Sequence, residues 1–165
     1  MNILYVHHGN RKVSNPPTQD DDLTEIGYKD CEIVSQLLKS LDNKLNYKAI
    51  YTSPYFRCKK SAEIINKYLN IPIYDEPRFN EFSNEPSLKK KESWIDCQMR
   101  IREAIRDIVN KYDEKDTVIC LTSGVNLTAF ISLAYKIKPS NDLPFPVVTT
   151  CSPIVFKINK ESFDN

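Results

Sequence analysis

The stretch Ile3-Leu4-Tyr5-Val6-His7-His8-Gly9 joins a short apolar run to the two histidines of this 165-residue chain. The apolar run predicts a first β-strand over residues 2–6, and both histidines fall where that strand ends. In an open α/β sheet, ligands bind in the crevice beyond the carboxyl ends of the strands. Histidine has a side-chain pKa near neutrality, so it can serve as nucleophile, base or cation. The alternative is a pair of ordinary loop histidines.

Composition indicates a globular chain with a sizeable core, since 41% of its residues are hydrophobic. The length fits one domain over residues 1–165. There are 23 basic and 22 acidic side chains, so no global charge favours nucleic acid or an anionic membrane as a partner. No apolar run is long enough to predict a transmembrane helix, and no signal peptide is visible. We therefore expect a cytoplasmic protein, and the sequence does not predict its oligomeric state.

Five cysteines are scattered along the chain. Their number is odd, and no spacing matches a metal site such as Cys-x-x-Cys. Several fall at apolar-periodic positions, which predicts small buried side chains in a reducing compartment. The sequence therefore predicts neither a metal site nor a cofactor.

Strand-like and helix-like segments alternate along the chain. Apolar runs predict strands over residues 2–6, 49–52, 71–74, 117–122 and 154–158. Helical periodicity predicts helices after Thr24, from Ser53-Pro54 onward, over residues 94–112 and around residues 127–134. Pro72 within the third strand favours an edge position. The alternation predicts an α/β fold, with a mainly parallel sheet covered by helices on both faces.

Polar side chains follow four of these strands at the same edge of the predicted sheet. They are His7, His8 and Gly9 after the first strand, Ser53 and Arg57 after the second, Glu81 after the third, and Thr122, Ser123 and Gly124 after the fourth. This edge would combine histidine, arginine, a carboxylate and helix N-termini. Such a combination predicts an anion site that suits phosphate.

At these residues the chain resembles the histidine phosphatase superfamily, the group that includes cofactor-dependent phosphoglycerate mutases. The matching segments are Val6-His7-His8-Gly9-Asn10-Arg11, Leu23-Thr24-Glu25-Ile26-Gly27, Ser53-Pro54-Tyr55-Phe56-Arg57 with Ser61-Ala62, Phe79-Asn80-Glu81, and Leu121-Thr122-Ser123-Gly124. They occur in the family's order and span most of the chain. The resemblance implies a three-layer α/β/α sandwich of the phosphoglycerate mutase type.

The resemblance also implies roles for individual residues. His8 matches the nucleophile that becomes a phosphohistidine, and Arg57 matches an arginine that binds the phosphate. Glu81 matches the general acid that protonates the leaving oxygen, which requires an environment that favours the protonated carboxyl group. Glu85, four residues further on, is a rival for that role.

Two positions depart from the family pattern, and both normally touch the phosphoryl group. His7 replaces an arginine, and it is interpreted either as a pH-dependent substitute or as a structural histidine. Ser123 replaces a second histidine and can bind phosphate through its hydroxyl, but an N-cap role is favoured. Arg11 can supply the charge lost at His7, or it is a solvated loop arginine. The backbone N–H groups near Gly9 and Gly124 complete the predicted phosphate site.

These residues predict a metal-independent phosphomonoesterase that acts through a phosphohistidine intermediate, with slow turnover. Its substrate would be a small phosphorylated molecule or a phosphoprotein. The alternative is a catalytically impaired pseudophosphatase that binds a phosphorylated ligand or protein. A mutase is less favoured, because the short chain has little material for loops that exclude water.

Overall fold

The computed structural model describes residues 1–82 and 92–164. In this part of the chain, strands and helices alternate as the sequence predicts. The strands are β1 (Asn2–His7), β2 (Asn46–Thr52), β3 (Ile73–Asp75), β4 (Asp116–Thr122) and β5 (Pro153–Lys157). The helices are α1 (Glu25–Ser40), α2 (Phe56–Ile65), α3 (Trp94–Lys111) and α4 (Leu127–Ala134). Several boundaries differ from the prediction. The largest shifts are at β2, which begins at Asn46 rather than at residue 49, and at α2, which begins at Phe56 rather than at Ser53. β3 starts at Ile73 rather than at Ile71, and the other boundaries shift by at most one residue.

The described strands form one sheet in the order β3-β2-β4-β1-β5. Neighbours from β3 to β1 pair in parallel, and β5 pairs antiparallel with β1. The prediction of an edge position for the third strand is confirmed, since β3 pairs only with β2 among the described strands. Because β1 to β4 run in one direction, the loops after their carboxyl ends meet at a single edge of the sheet.

Two cores, one on each face of the sheet, explain why the middle of each central strand is a continuous apolar run. In β1, Ile3 and Tyr5 point into the core formed with α3 and α4. Leu4 and Val6 point into the opposite core, formed with α1 and α2. Successive side chains of a strand alternate between faces, so a strand covered on both faces needs apolar residues at every position. The three-layer α/β/α sandwich is therefore confirmed.

The loop after β1 lies directly against the first turn of α1. Thr24 is the N-cap of α1, as predicted, and its side chain accepts a hydrogen bond from the Gly27 N–H. A Cβ on Gly27 would overlap the backbone of Asn10, and a Cβ on Gly9 would lie 2.9 Å from the Gly27 carbonyl oxygen. Glycine at both positions allows this approach, which fixes the segment that carries His8.

All five cysteines are free thiols and are buried, as the sequence predicts. Among the helices described here, none has both the length and the apolar character needed to cross a membrane.

Candidate active site

The carboxyl-terminal edge of the sheet brings together His8, Arg57 and Glu81. His8 directly follows β1, and Arg57 lies in the first turn of α2, which begins shortly after β2. Glu81 follows a 3-10 turn, Pro77–Phe79, that comes after β3. The three side chains meet although they are far apart in the sequence, as the predicted sheet requires.

The His8 imidazole is buried and holds its proton on Nδ1. Its Nδ1 lies 2.8 Å from the Gly9 carbonyl oxygen. A carbonyl only accepts hydrogen bonds, so Nδ1 must donate and Nε2 carries the free electron pair. Burial first, and then the positive charges of neighbours, lowers the pKa of His8 to about 3. His8 therefore presents a neutral, unprotonated Nε2 at physiological pH.

The Arg57 guanidinium connects the other two groups. Its side chain is only 2% exposed. Its Nε–H donates to His8 Nε2 at 3.2 Å, and its Nη2 donates to Glu81 Oε2 at 2.6 Å. Its Nη1 donates to the Thr18 carbonyl at 3.4 Å, so the loop after β1 also covers this side chain. Arg57 is thus a fixed, buried cation beside the His8 nitrogen.

Glu81 is partly open to solvent, with 34% of its side chain exposed. Its Oε2 is held in the ion pair with Arg57, whereas a general acid must carry a proton. An anion that bound Arg57 in its place would release this carboxyl group. The rival carboxylate, Glu85, lies outside the described residues.

The His7 ring and the Gly9 N–H, both predicted to bind phosphate, each contact a protein oxygen. His7 Nδ1 lies 3.3 Å from the Thr149 carbonyl, so Nδ1 carries the proton and the neutral ring has no N–H left for a phosphate. Burial lowers the pKa of His7, which opposes the charged form that could replace an arginine. The Gly9 N–H donates to the Ser61 hydroxyl at 2.9 Å and is therefore already occupied.

Arg11 is not a solvated loop arginine, because it forms a 2.6 Å ion pair with the buried carboxylate of Asp21. Its charge still reaches the site, since it is among the groups that lower the pKa of His8. Arg11 therefore supplies a positive potential near His8 while its Nη1 is held by Asp21.

Ser123 occupies the N-cap position that the sequence predicts, at the start of the 3-10 turn Gly124–Asn126, but its side chain makes no capping hydrogen bond. The hydroxyl is buried and has no hydrogen-bond partner among the described residues. A buried hydroxyl without a partner carries a free-energy cost, and a ligand oxygen could relieve it.

Sequence reasoning missed Asn126, and it placed Thr122 at this edge without predicting that both residues hold the Glu81 segment. Asn126, which is fully buried, donates from Nδ2 to the carbonyls of Phe79 and Asn80, both at 3.1 Å. The Thr122 hydroxyl also donates to the Phe79 carbonyl. These contacts use backbone acceptors, which no sequence motif marks; the position of Asn126 just after a buried strand was the available signal. In the described part of the chain, no three His, Cys, Asp or Glu residues are grouped to hold a metal ion.

The chain is similar in sequence to one protein family and in structure to several solved proteins. A sequence profile of the histidine phosphatase superfamily (branch 1) matches residues 4–86 and 82–164. YhfR of Bacillus stearothermophilus is 25% identical, with a TM-score of 0.77, over 96% of this chain and 92% of that one. The protein histidine phosphatase SixA, complexed with tungstate, is 14% identical with a TM-score of 0.73, over 98% and 91% of the two chains.

The mycobacterial glucosyl-3-phosphoglycerate phosphatase is 15% identical, with a TM-score of 0.71, over 93% of this chain and 88% of that one. A search of curated protein sequences finds no significant match.

Proposed function

Because the chain belongs to the histidine phosphatase superfamily (branch 1), we propose that it is a metal-independent phosphomonoesterase acting through a phosphohistidine at His8. The observation that carries this proposal is the state of the His8 ring. Its proton is held on Nδ1 by the Gly9 carbonyl, and its unprotonated Nε2 lies 3.2 Å from a buried guanidinium nitrogen. A nucleophilic nitrogen beside a fixed cation is what attack on a phosphate requires.

Arg57 is the main phosphate-binding group in this proposal. A guanidinium can bind two phosphate oxygens at once and is always charged. An incoming phosphate takes donors of Arg57 that now contact His8 and Glu81. The unpartnered Ser123 hydroxyl supplies a further donor, and Arg11 adds positive potential from its place beside Asp21.

In the first step, His8 Nε2 attacks phosphorus while the bond to the leaving oxygen breaks. Glu81 gives its proton to that oxygen. The doubly charged phosphate beside Glu81 favours the protonated carboxyl group, and it also draws Arg57 away from its ion pair. The products of this step are the free alcohol and the phosphohistidine.

In the second step, Glu81, now a carboxylate, takes a proton from water as that water attacks phosphorus. The nitrogen–phosphorus bond breaks, and His8 returns to its neutral form with the proton still on Nδ1. Inorganic phosphate then leaves. Slow turnover is expected, because Ser123 has no positive charge to stabilise the transferred group.

We propose a small phosphorylated molecule or a phosphoprotein as the substrate. The names of the structural neighbours cover both classes, a protein histidine phosphatase and a glucosyl-3-phosphoglycerate phosphatase. The position of Glu81, with a third of its side chain in solvent, leaves room for a leaving group of either kind.

The first prediction is a covalent phosphate on His8. The protein is incubated with an aryl phosphate or acetyl phosphate, quenched in base because phosphohistidine is acid-labile, and mapped by mass spectrometry. We expect the label on the peptide containing His8 and loss of both label and hydrolysis in His8→Asn. His7→Asn is the matched control, because that ring is adjacent but has its N–H directed at Thr149; it should keep the label.

Hydrolysis without a label at His8 would rule out this mechanism. Binding of vanadate without hydrolysis or label would favour the pseudophosphatase instead. The replacement of a family histidine by Ser123 is the observation that favours that alternative, since it removes a charge from the transfer step.

A further inference from the structure

Two of the five buried cysteines are in direct contact. Cys31 lies in α1, Cys151 lies in the turn before β5, and their Sγ atoms are 3.3 Å apart. The two residues are 120 positions apart in the sequence, so the contact exists only in the folded chain. Bond formation requires the sulfurs to approach by about another 1.3 Å, to the ~2.05 Å of a disulfide.

The pair shares a proton unequally. The hydrogen bond between the two thiols lowers the pKa of Cys31 and raises the pKa of Cys151. By contrast, burial raises the pKa of Cys58 and Cys97 to about 12. Since the thiolate is the reactive form, Cys31 is the nucleophilic sulfur and Cys151 is placed to resolve its oxidised product.

The pair also flanks the segment that carries the nucleophile. The Cys151 N–H donates to the carbonyls of His7 and His8, at 3.0 and 3.3 Å. On the other side, Cys31 Sγ lies so close to Gly9 that a Cβ there would be 2.9 Å away. A bond between the sulfurs would therefore tie α1 to the turn that holds the His7-His8-Gly9 segment.

We propose that Cys31 and Cys151 form a redox-modification site that hydrogen peroxide converts into an intramolecular disulfide. The Cys31 thiolate attacks one peroxide oxygen, the O–O bond breaks, and hydroxide leaves, which gives a sulfenic acid. The Cys151 sulfur then attacks the Cys31 sulfur, and the sulfenic oxygen leaves as water after taking a proton. Two thiols are oxidised, and one peroxide is reduced to two waters.

Burial selects the oxidant. Cys31 is fully buried and Cys151 is 7% exposed, so a small molecule such as peroxide reaches the sulfurs far more readily than a bulky disulfide does. This site does not depend on the phosphatase activity proposed above, and it can be tested without measuring activity.

The test is oxidation of the full chain with hydrogen peroxide, followed by alkylation of the remaining thiols and mass spectrometry. We expect a protein lighter by two hydrogens, a linked pair of peptides containing Cys31 and Cys151, and reversal by dithiothreitol. The oxidised protein should unfold at a temperature higher by about 5 °C or more, because the bond closes a long loop.

The controls separate this pair from general oxidation. Cys31→Ser and Cys151→Ser should each abolish the link, whereas Cys58→Ser should keep it. If either serine variant fails to fold, the alanine variant at the same position serves in its place, and the peptide map of the oxidised wild-type chain remains decisive. An unchanged mass, oxygen added to single cysteines, or links to other cysteines would overturn the proposal.

Discussion

At the scale of single residues, the site depends on which anion compensates the buried positive charge of Arg57. Arg57 sits in the first turn of α2, where the helix dipole disfavours positive charge. Burial adds a desolvation cost, so an anion must compensate. Glu81 provides that compensation at 2.6 Å when no substrate is bound. We infer that phosphate and Glu81 compete for the same guanidinium, and that this competition prepares Glu81 to accept a proton.

Ser123 provides a prediction in which stability and ligand binding change in opposite directions. Its buried hydroxyl has no partner among the described residues, so Ser123→Ala should stabilise the fold by about 1 kcal/mol. If the hydroxyl binds the ligand, the same change should weaken vanadate affinity by roughly 5- to 10-fold, the effect of one lost hydrogen bond. Thermal unfolding and vanadate titration measure the two effects.

Ser35→Ala is the matched control. Ser35 is equally buried, but its hydroxyl donates to the Ile65 carbonyl at 2.9 Å, away from the site. This variant should be less stable than the wild type and should bind vanadate normally. Unchanged vanadate affinity in Ser123→Ala would show that the hydroxyl does not contact the ligand.

At the scale of elements, the ends of strands and the starts of helices were enough to predict which segments meet. The apolar runs of β1 and β4 predicted the central strands of a parallel sheet, so His8, Arg57 and Glu81 could be assigned to one edge of that sheet. The partners of individual donors were not predictable, because they depend on ring orientation and loop path. His7 and Gly9 illustrate this: each lies at the edge, yet each donor is taken by a protein oxygen.

The turn that follows β4 gives the next prediction. Asn126 holds the carbonyls of Phe79 and Asn80, next to Glu81, so we infer that it is a positioning residue. Asn126→Asp removes the amide donor and should misplace Glu81. We expect hydrolysis of an alkyl phosphate to fall by at least 10-fold, and hydrolysis of an aryl phosphate to fall much less, since a good leaving group needs little protonation.

Asn110→Asp is a control on the exposed face of α3 and should leave both rates unchanged. Equal losses on both substrates in Asn126→Asp would indicate a general disturbance of the fold rather than misplacement of the acid.

At the scale of the whole molecule, the fold was predictable because its signals are dense and mutually consistent. The strands covered on both faces contain continuous apolar runs, and amphipathic helices separate them along the chain. This pattern is compatible with few arrangements other than a layered sheet. Individual side-chain contacts between distant segments could not be predicted in this way. The Cys31–Cys151 contact joins residues 120 apart, and nothing in the spacing of five scattered cysteines selects that pair from the others.

Burial of His8 makes the stability of the whole molecule depend on pH, which is the last prediction. The folded pKa is about 3, against an ordinary value of 6.5. Between these values the unfolded chain binds more protons than the folded one, so the free energy of unfolding falls as the pH falls below about 6.5. From pH 7 to pH 5, this single group should account for a loss of roughly 2 kcal/mol in the free energy of unfolding.

Urea unfolding of the wild type and of His8→Asn at both pH values measures this loss. Carboxylates titrate in both proteins, so the wild type should lose more stability than the variant by that amount. Equal losses would mean that folded His8 takes up a proton as readily as unfolded His8, and its Nε2 would then be protonated below pH 6.5 instead of staying free there.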